Sequence, residues 1–183
     1  MALRSTIFKA DIQVSDMARN YYHDHSLTIA RHPSENDERM MVRLLAFALH
    51  ADEHLVFGDS IGNEEEPSLW QKDLTGAIQV WIDVGQPDEK RIRKASGRSG
   101  SVFIYTYGGH STDVWLGQVR AGMERSGNVT VVNLPPAVIA QLASLAQRSM
   151  KLQFTIQDKQ VWVSSGDLTV HFDLSAATVL NAR

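Results

Sequence analysis

At 183 residues with no cysteine, the chain is long enough to bury a sizeable core unaided, and disulfides, thiolate chemistry and cysteine-ligated zinc are excluded. A net charge of −3 argues against coating nucleic acid through the overall field, while leaving room for a local basic patch. MALRSTIFKADIQ has no apolar leader core, and the longest purely apolar run, Leu44 to Leu49, is far short of a spanning helix, so a cytoplasmic chain with no membrane segment is expected.

Ser5 to Val14 alternates, with Phe8, Ala10, Ile12 and Val14 on one side, and Ser15-Asp16 breaks it. Tyr22 to Ile29 reads as a second extended segment, giving an antiparallel hairpin. His23 and His25 share a face of it, but lack a third nearby ligand and are read as surface histidines. Pro33-Ser34 then opens a helix with Ser34 as N-cap and Asp37 in the capping-box position, while Glu35 suits the positive end of the dipole. Met41, Leu44, Leu45 and Ala48 form its apolar stripe, and Glu38 falls on that line. An acid there needs a partner, a proton or a metal. His50-Ala51-Asp52-Glu53-His54 matches the H-x-x-E-H zinc pattern in letters, but it meets the helix end and is read as coincidence.

Residues 59–68, with Glu64-Glu65-Glu66-Pro67, read as an exposed acidic loop. From Ala77 to Val84, Ile78, Val80, Ile82 and Val84 fall on one face and Gln79, Trp81 and Asp83 on the other, the period of a central strand. Gly85 and Pro87 stop it, and a basic helix follows. Five of the nine residues from Lys90 to Arg98 are basic: Lys90, Arg91, Arg93, Lys94 and Arg98. Ser101 to Tyr107 reads as a buried strand parallel to the central one, since a helix intervenes. A helix over 113–123, a strand over 129–134, a helix over 137–147 and a β-meander over 150–174 complete the chain. The expected fold is α/β, one compact domain over 1–183, with a mixed sheet flanked by helices.

Glu38 on the helix, Asp73 just before the central strand and Asp83 at its end offer three carboxylates. A bend over 74–76 that brought Asp73 and Asp83 to one sheet edge would let them hold Mg²⁺ or Mn²⁺, with the basic helix meeting phosphate. RHPSENDERMMVRLLAFA from Arg31 and WIDVGQPDEKRIRKA from Trp81 resemble the YaeQ family of bacterial proteins, as do the N-terminal MALRSTIFKADI and the later KLQFTIQDKQVWVS. The resemblance implies a variant of the PD-(D/E)xK nuclease core with additional β-hairpins. Carried over, the helix acid is Glu38 and the metal carboxylates are Asp73 and Asp83. The motif lysine falls at Gly85, so a replacement must come from the next helix, Lys94 being the candidate beside Lys90 and Arg91. Three functions stay open: a metal-dependent nuclease, a non-catalytic DNA or RNA binder using Lys90, Arg91, Arg93, Lys94 and Arg98, and a protein-interaction module.

Overall fold

The computed structural model describes residues 3–182; Met1, Ala2 and Arg183, which the expected 1–183 span includes, lie outside the described residues. Where the sequence suggests one mixed sheet, the described chain builds two, each in its own compact unit. The first unit takes the residues up to Ala51 together with Ala137–Ser175, and the second takes Asp52–Pro136 with the residues from Ala176.

In the first unit, β1 (Thr6–Asp16) and β2 (Tyr21–Arg31) form the expected hairpin. β1 also pairs in parallel with β8 (Ser149–Gln157), which continues through β9 (Gln160–Ser165) and β10 (Leu168–Asp173) as an antiparallel meander. Alternation sets the faces: Ala10, Ile12 and Val14 stand in register with Met150, Leu152 and Phe154, and all six are buried. Asp158 and Lys159 both take positive φ, as a two-residue primed turn requires. Helix α1 (Asp37–Leu49) joins β2 through Arg43, which donates to the Ala30 carbonyl, and Phe47, which meets the His25 ring edge-on.

The start of α1 corrects the sequence reading. The cap is Asn36, whose side chain accepts from the Arg39 N–H, while the Ser34 hydroxyl is engaged with His32 Nδ1. Ser34 stands too far before the first helical turn to reach its N–H groups. At the other end α1 stops at Leu49 with His50 as its C-cap, so the H-x-x-E-H letters do not share a helix.

The second unit carries the central strands. β5 (Ile78–Val84), β6 (Ser99–Thr106) and β7 (Val129–Asn133) are parallel, linked by α2 (Glu89–Arg98) and α3 (His110–Ser126). Both helices cover one face of these strands and pack on each other. Trp81, Ile92, Ala95, Val102, Ile104, Trp115, Val119, Met123, Val129 and Val131 fill the space between. β4 (Leu69–Lys72) and β3 (Leu55–Phe57) extend the sheet beyond β5, and β11 (Thr178–Leu180) beyond β7. The 58–68 loop joins β3 to β4.

Candidate functional site

Asp83 sits one residue from the end of β5 on the face shared with Trp81, as the alternation requires, and is almost fully buried. A buried carboxylate must be paired and hydrogen-bonded. Arg91, on the first turns of α2, reaches back over the Gly85–Asp88 turn and grips it twice. Its Nε lies 2.9 Å from Asp83 Oδ2 and its Nη2 2.8 Å from Oδ1, and the Trp81 indole N–H donates to Oδ2 at 3.0 Å. This bidentate fork satisfies both oxygens and neutralises the charge. Burial pulls the Arg91 guanidinium down, but its bonds to Asp83 and that carboxylate's charge, with Glu64 and Asp88, carry it above its ordinary value.

The remaining Arg91 donors fasten the acidic loop. Nη1 donates to the Glu64 carbonyl and Nη2 to the Glu66 carbonyl. Further along α2, Glu65 pairs with Lys94 through one carboxylate oxygen and with Arg98 at 3.2 Å through the other. The hydrogen bond from Lys94 holds the Glu65 carboxyl below the usual carboxylate range. Lys90 and Arg93 are exposed and have no carboxylate partner among the described residues. The five bases read from the sequence therefore divide into one structural guanidinium, two held by the loop and two open to solvent.

The three acids are not brought to one place. Asp73 follows β4 and closes the β4–β5 turn, accepting from the Thr75 N–H and hydroxyl, the Ala77 N–H and the Gln79 amide. The Thr75 hydroxyl leads in depressing its pKa. Because Asp73 N–H bonds the Ala77 carbonyl, Asp83 lies six residues up the strand, about 20 Å away at strand rise. The bend over 74–76 puts the two carboxylates at opposite ends of β5 rather than on one edge, which corrects the expected pairing. Glu38 is half-buried on α1 in the first unit, whereas Asp73 and Asp83 belong to the second.

Lys94 does not replace the motif lysine either, since its ammonium turns to Glu65; the base that reaches Asp83 is Arg91. Gly85 has φ of 111°, a conformation a lysine adopts only with strain. Asp73 and Asp83 thus do not fit a shared Mg²⁺ or Mn²⁺: one is a turn acceptor and the other is already gripped by a guanidinium. Among the described residues no group of three or more His, Asp or Glu side chains is placed to hold a metal ion.

The sequence reading missed the acid that α1 does bury. Glu35 takes two bonds of 2.7 Å from Arg43 and one of 2.9 Å from Arg39, with its carboxylate fully enclosed. Glu35 lies just before the helix, and Arg39 and Arg43, one turn apart on α1, both converge on it.

A family model described as YaeQ protein matches residues 1–174. The uncharacterized protein YaeQ of Escherichia coli (strain K12) is 40% identical over 176 residues, 96% of this chain and 97% of its own length. Its counterpart in Salmonella typhi gives the same figures. The crystal structure of the YaeQ protein from Xanthomonas axonopodis pv. citri superposes with a TM-score of 0.88 at 46% identity, covering 92% of this chain and 96% of that one. That from Pseudomonas syringae gives 0.91 at 35%, covering 97% of each.

Proposed function

This chain belongs to the YaeQ family, and on that footing we propose that it binds the phosphate backbone of DNA or RNA through α2 without cleaving it. The core is read as a PD-(D/E)xK nuclease variant in which a guanidinium has taken over the metal's position. One observation carries this reading: Asp83, the acid at the end of the central strand, accepts three hydrogen bonds from Arg91 and Trp81. A divalent cation would have to displace a bidentate partner that is itself largely buried, leaving that charge unpaired. The exposed side of α2 keeps what binding requires. Among the described residues Lys90 and Arg93 are free of carboxylates, while Lys94 and Arg98 pair with an exposed one and Arg98 also lies 5.8 Å over the Trp81 ring. Lys90 and Lys94 are one turn apart, as are Lys94 and Arg98, so these three line one face at a spacing that can follow a backbone.

Fluorescence anisotropy with labelled single- and double-stranded DNA and RNA tests the proposal. Binding should weaken several-fold in Lys90→Gln/Arg93→Gln, and the oligonucleotides should stay intact in millimolar Mn²⁺. Cleavage that Asp83→Asn abolishes would restore the hydrolytic reading. Absence of binding at low salt would leave the protein-interaction reading.

A further inference from the structure

Resting on that reading, we infer that the 58–68 loop is a built-in competitor for phosphate, a strap whose Glu65 carboxylate occupies the Lys94 and Arg98 half of the basic face of α2 and leaves a polyanion only Lys90 and Arg93. The loop holds its own shape. Its neck is closed by the Phe57–Leu69 strand pair and by Gly58 N–H to the Ser68 carbonyl. Asp59 accepts from the Gly62 N–H through its side chain and from the Asn63 N–H through its carbonyl, and the Asp59 N–H donates to Glu66. The Glu65 N–H donates to the Asn63 side chain. A Cβ at Gly58 would stand 2.3 Å from the Pro67 carbonyl oxygen, so only glycine closes the neck this tightly. This is the build of a compact Ω-loop, its ends close together and its interior tied by its own polar groups.

Two kinds of contact join the loop to α2, and they differ in permanence. Arg91 takes the backbone carbonyls of Glu64 and Glu66 while staying locked on buried Asp83. That contact positions the loop without consuming a carboxylate. Glu65 then sets one oxygen on Lys94 and the other on Arg98, cations one helical turn apart, as two non-bridging oxygens of a phosphate would sit. These side chains are 36%, 42% and 64% exposed for Lys94, Arg98 and Glu65. Pairs so hydrated are weak and screened by salt. The loop nevertheless tethers Glu65 at a high effective concentration beside Lys94 and Arg98, so a polyanion that engages Lys90 and Arg93 finds the other two cations taken.

The test is duplex DNA affinity across a salt series for wild type, Glu65→Gln and Glu53→Gln. The last removes the same charge from a carboxylate that faces His54 instead of α2. Glu65→Gln should bind several-fold tighter than wild type. Its slope of log affinity against log salt should steepen from about −2, for two phosphate contacts, to about −4, for four. Glu53→Gln should match wild type, and adding Lys94→Gln/Arg98→Gln to Glu65→Gln should return the slope to about −2. Equal binding by wild type and Glu65→Gln overturns the strap and keeps the binder, as does an equal gain in Glu53→Gln. No binding by any variant overturns both.

Discussion

Arg91 makes the Asp83 carboxylate tolerable inside the second unit, and removing one partner exposes the cost of the other. Arg91→Met should lower stability by about 3–5 kcal/mol in denaturant unfolding, because a buried charge is left without its counter-ion. Asp83→Asn keeps the shape and part of the bonding and should cost less; the reverse order would contradict the pair as described. A second prediction concerns His50, half-buried at the end of α1. Burial first, and the Arg19 charge second, lower its pKa from 6.5 to about 3. Below its unfolded value the unfolded chain takes a proton that the folded chain refuses, so stability is lost as pH falls from 6.5 towards 3. Between about pH 7.5 and about pH 5.5 this amounts to about 1.4 kcal/mol. His50→Asn should remove that share of the slope in unfolding measured at both pH values. At this scale the sequence was only partly legible. The face of Asp83 followed from alternation with Trp81, but which of five bases would reach back depended on how α2 leaves the Gly85 turn. Glu35 was misread because placing the cap at Ser34 assigned it to the helix dipole instead of to Arg39 and Arg43.

Among the elements, α1 offers the cleanest check. Asn36→Ala should cost about 1 kcal/mol by leaving the Arg39 N–H unpaired, while Ser34→Ala, remote from that N–H, should stay within about 0.5 kcal/mol. Equal losses in a chemical denaturation series would put the cap back at Ser34. Long elements were visible in the sequence because alternation or a helical stripe accumulates over many residues: β1, β2, β5, α1 and the β8–β10 meander all fell close to where they were expected. β3, β4 and β11 were not assigned. They are three, four and three residues long, too short for a period to show, and they exist because a neighbouring strand edge offers hydrogen bonds.

At the scale of the molecule, the number of sheets was hidden because strand partners are set by contacts remote in sequence. Lys9 of β1 pairs with Ser149 of β8, and no local pattern announces that. The same ladder logic undid the proposed metal pair. Asp73 and Asp83 are near in sequence but lie at opposite ends of the strand, since β4 runs antiparallel to β5. Charge, by contrast, was readable in sign but not in effect: Lys90 to Arg98 was visible as a basic run, but its partial neutralisation by Glu65 required the fold. The proposed phosphate-binding role of α2 has to operate despite a net charge of −3, and the salt dependence of nucleic-acid affinity tests it most directly. Wild type should bind duplex DNA with a log–log slope of about −2, and Lys90→Gln/Arg93→Gln should bring that slope close to zero. A wild-type affinity indifferent to salt, or a slope unchanged in the double variant, would contradict it.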